Sequence, residues 1–317
     1  MRRPAFLSRY LLATIGVAIL LGYGVLVAIG LAEPSLWSTG VYAGGLVHGT
    51  THVELPPFPV MANLDVFDMN ARSIGSHLYL LGSDPGGRDL LALIARGSLP
   101  SLLLVVLVVV TRAVVGTIAG VLMGLGSGTV RLLSRGIGDW MVGFPYLGLA
   151  ILLIDVLTPR GRVLAFVVAM SLIGWRDMAE VVAERIEYVR TQPFAMEAAA
   201  LGTGRLRFFQ LHVIPHLRPA FVVEVVLQCS AVLVVLAELG YLQVYIGPVI
   251  RLTQPGANSI ALLTQPELGQ LLANSRMYLL YRELAPFLVP ALAIAILALG
   301  FELVGTALKG RWRFAGR

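Results

Sequence analysis

The sequence predicts an all-α, polytopic membrane protein with six transmembrane helices. Three observations predict it. Of 317 residues, 57% are hydrophobic and only 13% charged, where soluble domains carry about 25% charged residues. The mean hydropathy is +0.82. The charges that do occur flank long uncharged runs, as expected for helices that satisfy their own backbone inside lipid.

The candidate spans follow in order. Tyr10 to Ala32 is uncharged between Arg9 and Glu33, long enough for a bilayer, which takes about 20 residues. Gly97 to Val130 carries only Arg112, and Trp140 to Leu157 only Asp155. Val163 to Trp175 is short, so its helix is expected to run on past Arg176. Pro219 to Ala237 carries only Glu224, and Leu284 to Phe301 is uncharged. A cleaved leader is the alternative for the first span, since Gly30-Leu31-Ala32 resembles a processing site. Its apolar run exceeds the about 7–15 residues of a leader core, so an uncleaved anchor is expected.

Basic residues set the orientation. With a cytoplasmic N-terminus, Arg2, Arg3, Arg9, Arg131, Arg135, Arg176, Arg185, Arg190, Arg205, Arg207, Arg218, Lys309, Arg311, Arg313 and Arg317 all lie inside. Fewer lie outside: Arg72, Arg88, Arg96, Arg160, Arg162, Arg251, Arg276 and Arg282. The expected organisation is an anchor helix at 1–32, an extracytoplasmic loop at 33–96, and a core at 97–308. The core holds a cytoplasmic loop at 190–216 and an outer loop at 238–283; a basic cytoplasmic tail follows at 309–317. The net charge of +6 follows this topology and is not a nucleic-acid signal. Cys229 is the single cysteine, so an intrachain disulfide is excluded.

The cytoplasmic stretch Glu197 to His216, EAAALGTGRLRFFQLHVIPH, is unusually structured for a loop. Pro193 stops the incoming helix and allows a new one near Phe194. Ala198 and Gly202, four apart, give that helix a bare face open to close approach. Gly202 and Gly204 suit a helix end. A second short helix from Arg205 to Val213, ended by Pro215, makes a helix-turn-helix on the membrane face, with Pro219 opening the next span. Phe208 and Phe209 form an apolar pair flanked by Arg205 and Arg207. If a partner buries them, each contributes about 1.5–3 kcal/mol; packing on their own bundle is the plainer reading.

Several chemistries are excluded or weakly supported. No Walker A sequence occurs, so ATP binding by this chain is not expected. His212 and His216 are four apart, but Pro215 stands between them and no HExxH glutamate follows, so no metal site is expected. The chain has no GxSxG elbow, because Leu125 stands where Ser127 would need a glycine. No enzymatic activity is expected. Gly116, Gly120, Gly124 and Gly128 form a close-packing face, for use inside the bundle or along a pore. Arg112, costly at membrane depth by about 2.5–3.5 kcal/mol, suits a bound carboxylate or an acidic side chain of a packed partner equally.

A second structured stretch, GSDPGGRDLLALIARGSLPSL from Gly82 to Leu102, stands before the second span. Together the two stretches resemble the permeases of dipeptide, oligopeptide and nickel ABC importers. That family carries Gly-Thr-Asp-x-x-Gly-Arg-Asp at this place; here Gly82, Ser83, Asp84, Gly87, Arg88 and Asp89 fall on that spacing, followed by Gly97, Ser101 and Leu102. In the cytoplasmic motif Trp175, Phe194, Gly202 and Pro215 match, and Asp139 and Pro145 fit the opening of the family's third helix. Departures are Met196 in place of a Glu, with Glu197 one position later, and Ala179-Glu180-Val181-Val182-Ala183 in place of a basic segment.

The resemblance implies a type I importer permease in the bacterial cytoplasmic membrane, both termini inside. It implies that a second homologous permease shares the translocation path and that two ATPase subunits, which carry the ATP, dock on the cytoplasmic loop. It further implies an extracytoplasmic binding protein that delivers the substrate. Glu197, Ala198, Gly202, Arg205, Arg207, Phe208, Phe209 and Pro215 would then be the ATPase-coupling residues, with Gly82, Asp84, Gly87, Arg88 and Asp89 at the outer side. The competing class is a secondary transporter or channel working alone, but the inverted repeats that would favour it are not evident.

Overall fold

The computed structural model describes residues 4–32, 44–47, 52–67, 73–126, 128–202, 204–247, 249–252, 260–263, 266–280 and 284–315. Parts of the predicted loops at 33–96 and 238–283, and the last residues of the tail, lie outside them. In chain order the elements are α1 (Pro4–Ala32), β1 (Gly44–Val47), β2 (Val53–Glu54), β3 (Ala62–Phe67), β4 (Ser73–Tyr79), α2 (Leu90–Leu125), α3 (Gly128–Val142), α4 (Tyr146–Leu157) and α5 (Arg162–Arg190). Then come α6 (Pro193–Ala200), α7 (Arg205–Phe208), α8 (Ile214–Tyr241), β5 (Val249–Leu252), β6 (Ile260–Leu263), α9 (Leu268–Ser275) and α10 (Ala285–Ala315).

Among the described residues, four helices are long and apolar enough to cross a membrane: Tyr10–Ala32, Leu90–Leu125, Phe209–Tyr241 and Ala285–Gly310. The expected third and fourth spans take a different form. The third is interrupted at Gly143–Pro145, leaving α3 and the 12-residue α4 on either side. Pro145 has extended backbone and stands as the N-cap of α4. The fourth is α5, which does run past Arg176 and collects Arg, Asp and Glu along its second half.

The expectation that all regular structure is helical is corrected. Outside lipid, water and neighbouring strands can satisfy the backbone as well as a helix can. The segment before α2 forms an antiparallel sheet in the order β2-β1-β3-β4, and the segment after α8 forms the hairpin β5-β6. In β3 the alternation buries Leu64 and Val66, which pack with Phe58 and Tyr79 in a small core.

The chain divides into two compact units. The first comprises Met1–Val17, Val105–Val232 and Leu299–Arg317; the second comprises Ala18–Leu104 and Leu233–Ala298. In the first, the glycine face of α2 is used inside the chain. A Cβ on Gly116 would stand 2.6 Å from Met178 Cβ, and one on Gly124 would stand 2.8 Å from Ile186 Cβ. The side chains of α5 therefore sit directly on the α2 backbone, and Arg190 Nη1 donates to Gly124 O at 2.9 Å. Gly128 meets nothing within 4 Å and is not part of that seam.

In the second unit, α9 is a short helix buried on nearly every side. It is seated on α2 where Leu268 N donates to Ser101 Oγ at 2.8 Å. It crosses α8 where Gly269 meets Gly240 and a Cβ at Gly240 would collide with the Gly269 carbonyl.

Candidate functional site

Between α5 and α8 the chain makes the elbow that the sequence suggests. Thr191 N donates back to Tyr188 O, Pro193 opens α6, and Gly202 ends it at φ +73, a left-handed conformation that costs a glycine little. Arg205 begins α7. The ending differs from expectation. Pro215 does not stop the helix: a π turn over Phe209–Val213 leads straight into α8, and Ile214 N donates to Phe209 O. Proline lacks the N–H that an α turn would use, and the wider π turn absorbs the missing bond.

The elbow's aromatic pair takes the plainer of its two readings and packs on its own bundle. Phe208 and Phe209 are half-buried against the cluster of Val182, Ile186, Val189, Val213 and Leu217, together with Phe194. The apolar energy of those rings already goes into seating the elbow on α5, so they are not its outer tip. Ala198 likewise lies buried at 8% exposure, whereas Gly202 is exposed and a Cβ on it would meet nothing within 4 Å, so only one of the two small residues turns toward the chain's own core. What the elbow presents outward is Met196, Leu201 and Leu211 at 68%, 85% and 56% exposure, beside the exposed Glu197 and Arg207. His212 and His216 stack on the Phe194 ring at 5.5 and 5.8 Å between centroids. They brace α6 against α8, and among the described residues no group of three or more metal-ligating side chains occurs.

Arg112 is 2% exposed on α2. Its Nε donates to Met170 O at 2.9 Å, its Nη1 to Gln228 Oε1 at 2.6 Å and its Nη2 to Tyr146 Oη at 2.6 Å. The fork thus ties α2 to α5, α8 and α4 within one unit. The Gln228 amide in turn donates to Glu224 Oε1 at 3.0 Å and Asp177 Oδ2 at 3.3 Å. One neutral side chain therefore stands between the buried cation and two carboxylates. A side chain on Gly174 would collide with the guanidinium. Gln228 and Tyr146 were not foreseen as Arg112's partners. They are 116 and 34 residues away, and an uncharged Gln or Tyr in an apolar run does not announce a partner.

The outer motif is a tightly hydrogen-bonded turn feeding α2. Asp84, 3% exposed, accepts from the Gly86 and Arg88 amides through Oδ1. Its Oδ2 accepts from Arg88 Nε at 2.9 Å and Nη2 at 2.5 Å. Gly87 takes φ +74, and its carbonyl accepts from Tyr79 Oη. Gly82 O accepts from Leu90 N. Asp89 caps α2 through the Leu91 amide at 2.7 Å and meets His77 Nε2 of β4 at 2.9 Å. Ser83 Oγ accepts from Phe58 N at 2.6 Å. The motif joins the sheet to the start of α2: Asp84 and Arg88 pair within the turn, and Asp89 pairs with His77 of β4.

Glu180, which stands where the resembled family has a basic residue, pairs with Arg176 at 2.6 Å; Arg176 also reaches Asp139 at 2.7 Å. With Arg135–Glu187 at 2.5 Å, these pairs line a cleft of about 290 Å³ between α3 and α5. The opposite face of α3 exposes Leu132, Leu133, Ile137 and Trp140.

Residues 116–314 match the family described as binding-protein-dependent transport system inner membrane component. The chain is 26% identical over 233 residues to a dipeptide transport system permease protein, DppC, of Alkalihalophilus pseudofirmus, covering 73% of this chain and 70% of that one. It is 25% identical over 237 residues to the Haemophilus influenzae DppC, covering 74% of each. It is 27% identical over 174 residues to the oligopeptide permease OppC of Bacillus subtilis, covering 55% and 56%. A crystal structure of an amino acid ABC transporter with histidines aligns at 17% identity and TM-score 0.47, over 69% of this chain and 94% of that one.

Proposed function

The chain belongs to the binding-protein-dependent transport system inner membrane component family, and on that premise we propose that it is the permease subunit of an ABC importer for peptides or a similar small solute. It is a multi-pass membrane protein of a transport family rather than an enzyme family. The path is formed with a second, homologous permease, and two ATPase subunits supply the work. The architecture is the type I kind: six spans, with the broken α3–α4 as the third and α5 as the fourth. Both termini are cytoplasmic, and an extracytoplasmic binding protein delivers the solute.

One observation carries the reading. The elbow is rigidly seated by Phe194, Phe208 and Phe209 on the bundle, yet it holds Met196, Leu201 and Leu211 out of it. A seated element with an outward apolar tip can pass a push from a docked subunit into α5 and α8 without deforming. The relatives named as dipeptide and oligopeptide permeases support peptides as the solute class.

The test is to purify the tagged chain in mild detergent with its neighbours co-expressed, then reconstitute it. Recovery with ATPase subunits, and dipeptide uptake that needs ATP on the cytoplasmic side, is the expected outcome. Recovery alone, with uptake driven by an ion gradient, supports the stand-alone transporter instead.

A further inference from the structure

The second unit holds a buried acid that the transport reading does not use. Glu267 is 2% exposed and forms the N-cap of α9. Its Oε2 accepts from Gly269 N at 2.9 Å, while its Oε1 has no hydrogen-bond partner among the described residues. A carboxylate with an unpaired oxygen in a dry site is costly, whereas the neutral acid is far less so.

The surroundings are built for close contact. A Cβ on Gly97 of α2 would stand 3.1 Å from Pro266 O and 3.6 Å from Glu267 Cα. A Cβ on Gly269 would stand 2.8 Å from Leu236 O of α8 and 3.1 Å from Glu267 Oε1. Ser101 Oγ accepts from Leu268 N and donates to Gly97 O at 2.9 Å. Glu267 is therefore clamped between the backbones of α2 and α8.

We propose that Glu267 is a protonation switch: the neutral acid holds α9 docked against α2 and α8, and its ionisation loosens the helix. The proposal stands on the seat itself and is independent of which solute is carried or what docks on the elbow.

The electrostatics agree. Burial pushes the carboxyl up to about 7, against smaller opposing pulls from the Gly269 and Gln270 amides and the Ser101 hydroxyl. The ionisable residues on the neighbouring elements are Arg96 on α2, Glu238 and Tyr241 on α8, and Arg276 just past α9. Arg276 lies over the Tyr241 ring at 4.8 Å, and none of the four acts on the Glu267 carboxyl. The direction follows. Outside the seat the acid ionises near 4.5, inside it near 7, so docking is complete below the lower value and weakens as pH rises toward the upper one. One proton per chain leaves for solvent in that step.

The experiment is hydrogen exchange on the full-length protein in lipid nanodiscs from about pH 5 to about pH 8, corrected for the intrinsic rate. Protection of residues 268–275 should fall with rising pH, by up to the order of a hundredfold. Glu267→Gln should hold protection high and flat, and Glu238→Gln should leave the wild-type profile unchanged. If Glu267→Gln does not insert, difference infrared spectroscopy of the wild type decides: a protonated-carboxyl band present below about pH 7 and lost above it supports the switch. A flat wild-type profile overturns the proposal, as does a fall retained in Glu267→Gln or abolished in Glu238→Gln, or the absence of that band.

Discussion

Gly120 of α2 lies so close to α5 that a Cβ on it would stand 2.6 Å from both the carbonyl oxygen of Ala179 and the Cβ of Val182. The neighbours are backbone and a β-branched root, neither of which can swing aside. Gly116, Gly120 and Gly124 are thus a contact inside this chain, and only Gly128 stands outside it.

Gly120→Ala should therefore lower stability by about 1–3 kcal/mol through overpacking, and Gly120→Val should prevent stable insertion. Gly128→Ala, with nothing within 4 Å, is the matched control and should be neutral. Thermal unfolding in detergent reads both.

The Arg112 fork predicts a structural loss first. Arg112→Ala strands acceptors on three helices and should cost about 3 kcal/mol or more. Gln228→Leu strands the cation from the other side. The double substitution should cost less than the two losses together, because both remove one interaction. Among folded variants, Arg112→Lys should leave the ratio of KM values for free and C-terminally amidated dipeptides unchanged. A selective rise for the free-acid peptides would make Arg112 a substrate ligand instead.

The elbow separates into an inner and an outer set. Phe209→Ala should destabilise the protein by about 2 kcal/mol, since the ring packs on the α5 cluster. Leu201→Asp, at a position 85% exposed, should leave unfolding unchanged and cut ATP-coupled uptake at least about tenfold, since burying a leucine is worth about 1.5–3 kcal/mol. Uptake and unfolding measured on the same preparations distinguish the two. Unchanged uptake in Leu201→Asp would show that the tip does not dock.

The outer turn should behave as structure. Asp84→Ala leaves Arg88 buried with its main acceptor gone and should cost about 3–5 kcal/mol. Asp89→Ala removes the α2 cap for about 1–2 kcal/mol, and Asp89→Asn less. Limited proteolysis of the segment before α2 in detergent-solubilised protein would register both.

Much of this was legible in the residues. Pro193 and Gly202 mark the ends of α6 because their backbone restrictions are local. The Gly-x-x-x-Gly spacing marks a contact face because helical period alone brings those positions together. The family match over residues 116–314 confirms the resemblance drawn from the two motifs. The strands before α2 escaped, because they are short and their burial alternates over only a few residues. The sequence left Phe208 and Phe209 between a partner and their own bundle, because it shows that they are apolar and not which apolar surface lies nearest.

The sequence by itself determined that this is a multi-pass helical membrane protein, where α6 begins and ends, and which family it joins. Those properties follow from local backbone chemistry and from the transfer of apolar runs out of water. Tertiary structure alone decided who meets whom: Arg112 with Gln228, Gly120 with Ala179, Glu267 with a seat that leaves one of its oxygens unpaired. Each pairing joins residues far apart in the chain, and packing, not residue type, sets the partner.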